Sequence, residues 1–386
     1  TMTNNKDKKV LNVPNLRFPE FTGEWKKERL DEIAELSKGI GISKEQLSSN
    51  GNPCILYGEL YTKYKSEIIS EVISKTNIEK NKLKHSKQND VIIPCSGETA
   101  VDIAVARCVP FDNVLLGGDL NIIRLHKYDG AFMAYQLNSK RKIEIAKLAQ
   151  GVSVVHLYGE NLKSINTYNP SLQEQQKIVR LLSLLDERIA TQNKIIEDLK
   201  KLKSAIRKRV FTSFKNGHTE SCEINQLIAY EQPTTYIVTN DEYSADKTLT
   251  PVLTANKGFV LGYTDEDFGI YQKGECIIFD DFTMDAKYVS FPFKVKSSAI
   301  KILTAKPDVN LRFMFEYLSY LELKSEEHKR HYISEIASLV IELPSKEKQN
   351  RIAYLMTSLD NKLALEENTR ARYMDEKRYL LSQMFI

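Results

Sequence analysis

The sequence has no run of apolar residues long enough to cross a membrane, and no apolar signal segment lies near its N-terminus. We therefore expect a cytoplasmic protein. Cysteines are few and scattered, and no two of them have the spacing of a zinc site or a disulfide framework. We expect them to be reduced and mostly buried. The five cysteines are Cys54, Cys95, Cys108, Cys222 and Cys276.

The common catalytic motifs are also missing. The six histidines include no His-x-x-x-His pair, and neither glycine-rich phosphate loops nor the Asn/Asp-Pro-Pro-aromatic signature of adenine methyltransferases occur. Asp280 and Asp281 form the tightest acidic pair outside the predicted helices, but no third metal-ligand or catalytic residue stands at a motif spacing. We interpret this pair as an ordinary turn. No pattern in the chain predicts an active site, a metal site or a cofactor site.

The sequence does contain a long internal repeat. A shift of 174 positions places Pro170 on Pro344, Gln175 on Gln349 and Asp186 on Asp360. Apolar residues in each copy recur in steps of three and four, which is the pattern of a helix that packs along another helix. The predicted helix-packing residues are Ile178, Leu182, Leu185, Ile189, Ile196, Leu199, Leu202 and Ile206 in the first copy and Ile352, Met356, Leu359, Leu363, Tyr373 and Leu380 in the second.

The first repeat also carries a helix start signal. Ser171 is a candidate N-cap, and Glu174 stands three residues later, as in a capping box. The second copy keeps Ser345 but has Lys348 in place of the glutamate. Two long helices with apolar seams in one chain most simply pack on each other.

The segments outside the helices mix strand and helix patterns. Residues 27–36 are a candidate short helix, and residues 90–94, 103–106 and 120–125 are candidate strands. Residues 212–343 repeat this order more faintly. We predict a mixed α/β (α+β) fold with an internal pseudo-twofold repeat, divided into an N-terminal arm (1–20), a globular domain (21–169), a spacer helix (170–215), a second globular domain (216–343) and a C-terminal spacer helix (344–386).

Basic residues cluster locally although the net charge is only +4. Residues 187–210 hold eight Lys or Arg against three acids, and further basic clusters lie at 80–87, 140–142 and 328–331. A single cluster of this kind is usually a solvated face. Several clusters, with at least one in each half of the chain, favour contacts to phosphate groups.

With these residues in view, the chain resembles the specificity subunits of type I restriction–modification systems over essentially its whole length. The most specific likenesses are VPNLRFPEF at residues 13–21 with Gly23 to Trp25, and PSLQEQQKI at residues 170–178. The GGDL segment at residues 117–120 and the turn at Gly151 add to them. The second helix departs from the family pattern at residues 346–348.

The resemblance implies a bacterial phage-defence protein without catalytic activity of its own. Each globular domain would be a target-recognition domain for one half of an asymmetric, bipartite site in double-stranded DNA. The two long helices would form an antiparallel coiled coil that fixes the gap between the halves. Two methyltransferase subunits would dock on the helices and use S-adenosylmethionine to methylate adenine N6. Two motor–nuclease subunits would add ATP- and Mg-dependent restriction. None of these cofactors would bind this chain.

Loops of the two domains are the candidate DNA-binding segments, because Lys and Arg contact phosphates and small polar side chains contact base edges. The candidates in the first domain are Tyr61, Lys63, Tyr64, Lys65, Ser96, Glu98, Thr99, Gly151 and Ser153. The candidates in the second domain are Thr254, Asn256, Lys257, Phe282, Thr283, Lys287, His328, Lys329, Arg330 and His331.

Two alternatives remain open from the sequence. The chain could be the DNA-recognition subunit of another restriction or phage-defence system, which the neighbouring partner protein would distinguish. It could also be a coiled-coil scaffold whose globular domains bind protein, which a salt-dependent DNA-binding assay would distinguish.

Overall fold

The structure is a computed structural model that describes residues 11–216, 219–255, 258–323 and 332–386. The chain divides into two compact units. The first unit contains the residues up to Asn193 together with Asn368–Ile386, and the second contains Lys194–Glu367. The end of the chain therefore belongs to the unit that holds its first half. Within the described residues, no helix has both the length and the apolar character needed to span a membrane.

The first unit alternates short strands with short helices. Its strands are β1 (Lys26–Arg29), β2 (Ala34–Lys38), β3 (Leu47–Ser48), β4 (Asn52–Ile55), β5 (Ser74–Thr76), β6 (Lys84–His85), β7 (Asp90–Pro94), β8 (Ser96–Gly97), β9 (Arg107–Val109), β10 (Leu115–Leu116), β11 (Leu120–Leu125), β12 (Val155–His156) and β13 (Asn166–Asn169). Its helices are α1 (Leu30–Ile33), α2 (Glu59–Thr62), α3 (Ala100–Ile103), α4 (Gly130–Asn138), α5 (Lys142–Lys147), α6 (Gly159–Leu162) and the first part of α7 (Leu172–Thr212).

Two sheets form the body of the first unit, with strand orders β3-β5-β4-β10-β6 and β2-β11-β7-β9. Strand β7 is buried at every position. Because side chains alternate along a strand, Ile92 packs with residues of the five-stranded sheet, whereas Val91 and Ile93 pack with residues of α4. The prediction of a buried strand at residues 90–94 is confirmed.

The second unit repeats this arrangement. Its strands are β14 (Glu220–Glu223), β15 (Ile228–Glu231), β16 (Thr250–Leu253), β17 (Val260–Thr264), β18 (Cys276–Asp280), β19 (Ala286–Val289), β20 (Lys294–Val295), β21 (Ile300–Ala305) and β22 (Val340–Leu343). Its helices are α8 (Ile224–Leu227), α9 (Leu311–Leu321), the remainder of α7 and most of α10 (Lys346–Met384).

The order β15-β21-β18-β19 matches β2-β11-β7-β9, and β17-β16-β20 matches β5-β4-β10 with the same antiparallel and parallel pairs. Ile278 faces the three-stranded sheet, and Ile277 and Phe279 face α9. The two globular parts are thus closer to each other in fold than in sequence.

Two local predictions in the first unit are wrong. Residues 27–36, predicted as a short helix, form β1, the single turn α1 and β2, because β1 pairs with β13 and β2 pairs with β11. Residues 103–106, predicted as a strand, form no strand: Ile103 ends the helical turn α3, whose N-cap is Thr99, and residues 104–106 follow it. The strand begins at Arg107 instead. Sheet pairing decides the first segment against its local sequence pattern, and the helical turn capped by Thr99 delays the strand in the second.

The long helices bury most of the predicted packing residues. Ile178, Leu182, Leu185, Ile196, Ile352 and Met356 are buried, and the others are partly buried except Leu202, which is 48% exposed. The prediction for Leu202 is wrong because the next residue, Lys203, turns inward. Its Nζ lies 2.6 Å from Asp360 Oδ1 and 3.3 Å from Glu316 Oε1.

Polar contacts establish that α7 and α10 run antiparallel within each unit. In the second unit Lys203 pairs with Asp360 and Lys200 with Glu367. In the first unit Lys377 Nζ lies 2.6 Å from Asp186 Oδ1. The Lys203–Asp360 and Lys377–Asp186 pairs are related by the same shift of 174 positions. The internal repeat therefore extends to reciprocal ion pairs.

Both helices begin on the same hydrogen-bonded anchor. The Gln175 side chain donates to Pro170 O and accepts from Asp129 N–H, each at 2.9 Å. Gln349 donates to Pro344 O and accepts from Asn310 N–H at the same distances. Asp129 and Asn310 are themselves the N-caps of α4 and α9. Each long helix is therefore fixed to the main helix of its globular part.

The predicted capping role of Ser171 is confirmed, since its Oγ accepts the Glu174 N–H at 3.3 Å. The Glu174 carboxylate, by contrast, is buried against the N-terminal segment. It accepts two hydrogen bonds from Arg17, at 2.7 and 2.8 Å, and one from Trp25 Nε1 at 3.2 Å. This bidentate contact fastens residues 11–25 to the start of α7.

The end of α10 completes the aromatic core of the first unit. Phe385 is buried, with ring centroids 6.4 Å from Trp25 and 5.3 Å from Phe132. Its repeat counterpart Phe211 lies in the second unit, 5.5 Å from Phe313. Each unit thus uses an aromatic residue at the end of one long helix as a core residue, Phe211 near the end of α7 and Phe385 directly after α10.

A cluster of cations surrounds one carboxylate in the second unit. Glu316 of α9 is fully buried, and its oxygens lie 2.7 Å from Arg207, 2.7 Å from Arg312 and 3.3 Å from Lys203. Arg312 also pairs with Asp360. Glu316 therefore joins α9 to α7 directly, and Lys203 and Arg312 extend the cluster to Asp360 of α10.

Candidate nucleic-acid interface

Three predicted loops of the first unit come together on one surface. Strands β8 and β12 pair, with Gly97 opposite Val155. The Tyr61 hydroxyl lies 3.6 Å from the position that a Cβ on Gly97 would occupy. We call the surface formed by Tyr61, Glu98, Thr99 and residues 151–154 the first loop surface. The sequence placed these residues in three separate segments, and the β8–β12 pair joins them.

The first loop surface contains one charged side chain, the exposed carboxylate of Glu98. Burial raises the pKa of Tyr61, and nearby Tyr57, Glu98 and Asp102 raise it further. Thr99 donates to Asp102 at 2.6 Å and caps α3, so its hydroxyl is already engaged. Tyr61 therefore remains a neutral hydrogen-bonding group at neutral pH.

Two rings, which the sequence predictions missed, follow directly after the loop, and a cation from β2 lies over one of them. The His156 and Tyr158 rings stack at 6.3 Å, and Lys38 Nζ lies 5.8 Å from the centre of the Tyr158 ring. All three residues are exposed. Lys38 belongs to β2, distant in sequence from residues 156–158, so no local pattern could have grouped them.

Two of the predicted DNA contacts in the first unit are corrected. Tyr64 is buried in the core, and its hydroxyl accepts the Ile73 N–H at 3.3 Å. Ser96 is buried and donates to Asp119 at 3.1 Å. Neither side chain is open to a ligand, because β5 and the sheets cover the first and β8 holds the second inward.

The other candidates in the first unit remain predictions. Lys63 Nζ pairs with Glu59 at 2.6 Å and donates to Ser74, so its charge is partly used within the fold. Lys65, Glu98, Gly151 and Ser153 are exposed. The exposed candidates lie on or beside the first loop surface.

In the second unit, the predicted turn at Asp280 and Asp281 is confirmed. Both residues are buried, and Asp280 Oδ1 accepts the Phe282 and Thr283 N–H groups, each at 2.9 Å. Asp281 Oδ1 accepts the Tyr332 N–H, and its Oδ2 lies 3.4 Å from Lys301. These carboxylates fix the loop after β18.

The remaining candidates of the second unit are partly located. Phe282 is half-buried and Thr283 exposed at the tip of the turn, and Lys287 is half-buried on β19. Thr254 follows β16, and its N–H bonds Phe259 O at 3.0 Å. Asn256, Lys257, His328, Lys329, Arg330 and His331 lie outside the described residues.

The described part of the chain offers binding groups more than reactive ones. Among those residues no group of three or more His, Cys, Asp or Glu is arranged to hold a metal ion. Burial raises the pKa of Cys54 and Cys95 to about 11 and that of Cys108 and Cys276 to about 12. These thiols are therefore protonated at neutral pH and are not activated nucleophiles.

One buried ion pair holds a loop of the second unit in place. Lys294 is fully buried on β20, 2.7 Å from Glu266 Oε2, and donates to Phe268 O at 2.8 Å. Burial alone would raise the pKa of Glu266. The Lys294 ammonium and the Thr239 hydroxyl and N–H outweigh burial and lower it to about 2.

We expect this ion pair to make the stability of the second unit depend on pH. Because the folded-state pKa of Glu266 is depressed, its contribution is complete above about pH 4.5 and is lost as the pH falls towards about 2. The difference in urea-unfolding free energy between wild type and Glu266→Gln should therefore shrink when the pH is lowered from 6 to 3. A difference that stays constant over this range would contradict the assignment.

Comparison with known proteins identifies the family. Residues 22–201 and 219–372 match the family described as type I restriction modification DNA specificity domain. The EcoR124I/EcoR124II specificity subunit of Escherichia coli is 39% identical over 165 residues, which are 39% of this chain and 41% of that protein. The putative MjaX specificity subunit of Methanocaldococcus jannaschii is 23% identical over 301 residues, 70% of this chain and 71% of that protein.

Solved structures agree in fold. The S subunit of the type I restriction–modification system of M. genitalium has a TM-score of 0.67 at 17% identity, covering 97% of this chain and 99% of that chain. The matches span 41% of the E. coli protein and 50% of the M. jannaschii MjaVIII specificity subunit. Since the family match extends over most of both halves, the chain belongs to the family of type I restriction modification DNA specificity domains.

Proposed function

We propose that this chain is the DNA sequence-recognition subunit of a type I restriction–modification complex. Residues 21–169 and 216–343 are its two target-recognition domains, each of which recognises one half of an asymmetric, bipartite DNA site. Residues 1–20 are an N-terminal arm. The spacer helices, 170–215 and 344–386, set the distance between the half-sites. The chain supplies recognition and no catalytic group.

The partners follow from this role. Two methyltransferase subunits dock on the spacer helices and bring S-adenosylmethionine for adenine N6 methylation. Two motor–nuclease subunits add ATP- and Mg-dependent cleavage. Half-sites about one helical turn of DNA apart would present the same face of the duplex to both domains.

One observation carries this proposal: the two units have the same strand order and the same helix anchors, but different loops. The Gln175 and Gln349 contacts are equivalent down to their distances. At the end of the matching strands β7 and β18, however, the chain has Ser96 to Thr99 in one unit and Asp280 to Thr283 in the other. A conserved frame with different loops suits the recognition of two different base sequences.

The proposal is tested by methylation in a host without type I systems. Co-expression of the chain with its partner methyltransferase should place N6-methyladenine in one split, asymmetric motif, read by modified-base sequencing. The methyltransferase alone should methylate nothing at that motif. If the pair methylates no split motif, while the same methyltransferase does so with another specificity subunit, the proposed function is wrong.

A further inference from the structure

The most exposed apolar side chain of the first loop surface stands at its tip. Val152 is 97% exposed and Val154 is 53% exposed, while Val155 is buried and anchors the loop. Single exposed apolar residues are common on protein surfaces. This pair differs because it sits on a short loop beside Tyr61 and Thr99, on the surface proposed to face DNA.

Backbone hydrogen bonds join the two ends of the loop. Gln150 N–H donates to His156 O at 2.9 Å, and His156 N–H donates to Gln150 O at 2.7 Å. Gly151 has φ +122°, and a Cβ there would lie 2.2 Å from Val154 O. Leu157 N–H donates to Cys95 O at 2.7 Å, which ties the base of the loop to the end of β7. These contacts close the base of the loop, and Val152 stands beyond them at its tip.

The flanking groups suit a DNA backbone. His156 and Tyr158 stack on each other next to the loop, and Lys38 lies over Tyr158. A lysine ammonium and ring edges can contact a phosphate while the tip enters the groove. Ser153, next to Val152, carries a hydroxyl, but the Val152 side chain itself has no hydrogen-bonding group and can discriminate bases only by apolar contact.

Only one base presents an apolar group in the major groove of DNA, namely thymine with its C5-methyl. We propose that Val152, supported by Val154, is a specificity-determining residue that contacts a thymine methyl in the half-site of the first target-recognition domain. This inference rests on the proposed function. Because adenine methylation requires an A·T pair in each half-site, a thymine is available there on one strand.

A different apolar mechanism would be insertion between base steps, which kinks the duplex. The residues that do so are mainly long or flat, such as Phe, Leu, Ile, Met and Pro. Valine carries only two methyl groups directly on Cβ, which suits contact with a methyl group better than unstacking of bases.

The test replaces thymines of the mapped first half-site one at a time with deoxyuridine, which removes only the methyl group. Binding is measured at fixed salt with the full chain in complex with its methyltransferase. For wild type we expect one position at which deoxyuridine weakens binding about fourfold, the effect of burying one methyl group. The Val152→Ser variant should bind the thymine and deoxyuridine sites equally, at the level of wild type on deoxyuridine.

Val340→Ser is the matched control, because Val340 is a 63% exposed valine at the start of β22 in the second unit. It should keep the wild-type difference. The inference is overturned if no thymine of the first half-site shows the effect, or if Val152→Ser retains it. It is also overturned if Val152→Ser impairs assembly with the methyltransferase but leaves DNA binding unchanged, since the valine would then contact protein.

Insertion of Val152 between bases would raise 2-aminopurine fluorescence on binding, and the rise would depend on Val152. Binding would then be insensitive to deoxyuridine. This result would also overturn the inference. Failure of the proposed function gives a different result. In that case the wild-type complex binds no split site, whereas failure of the Val152 inference alone leaves sequence-specific binding intact.

Discussion

Replacing Glu316 with glutamine is expected to lower the unfolding free energy of the second unit by about 3–5 kcal/mol, the cost of breaking a buried ion pair from one side. The substitution keeps the shape of the side chain but leaves Arg207, Arg312 and Lys203 around a neutral group in a site with little access to water. Among the described residues, Asp360 is the one other acid that pairs with any of these cations. Urea unfolding, with hydrogen exchange followed in α9, measures the loss.

The matched control is Glu347→Gln. Glu347 also pairs with an arginine, Arg351, but both side chains are largely exposed on the first turns of α10. An exposed pair of this kind contributes no more than about 0.5 kcal/mol. Equal effects of the two substitutions would mean that the Glu316 cluster is as well solvated as the surface pair, contrary to the structure.

Truncating Phe385 to alanine is expected to destabilise the first unit by about 3–5 kcal/mol, although the residue is the last but one of the chain. The Phe385 ring fills the space between Trp25 and Phe132, and the cavity would open at the contact between α4, α7 and α10. Hydrogen exchange should accelerate in residues 130–138 and 172–185 and remain unchanged in α9.

Two control variants accompany this prediction. Tyr379→Ala removes an exposed aromatic residue from the same helix and should have little effect on either unit. Phe211→Ala removes the repeat counterpart and should destabilise the second unit instead. Loss of protection in both units after Phe385→Ala would contradict the separate cores.

The internal repeat made the long helices predictable from sequence. Gln175, Asp186 and their counterparts at 349 and 360 were visible as matched positions, and the structure gives them matched contacts. The same shift shows that Lys203 and Lys377 occupy equivalent positions of the repeat. The helical pattern of apolar residues nevertheless favoured Leu202, rather than Lys203, as the residue that packs between the helices. The lysine turns inward because a buried acid from α9 lies opposite, and no local pattern encodes that acid.

The surface of the globular parts was less predictable. Residues 61–65, 96–99 and 151–153 were each predicted as DNA-binding loops, but only the β8–β12 pair shows that the last two adjoin. Tyr64 and Ser96 stood in the right segments yet are buried, since alternate positions of short elements face opposite sides. Val152 was overlooked because an apolar residue in a loop does not resemble a polar DNA contact.

The position of Phe385 also bears on the order in which the protein can be completed during synthesis. N-terminal domains of larger proteins generally fold first, while translation proceeds at about 5–20 residues per second. Here the aromatic core around Trp25 cannot be completed until Met384 and Phe385 have been synthesised. After Asn193 leaves the ribosome, roughly 10–40 s pass before the last residues follow at that rate. During this interval the nascent first unit exposes an open apolar pocket, a surface that chaperones recognise, whereas the core of the second unit is built from residues that emerge before Asn368.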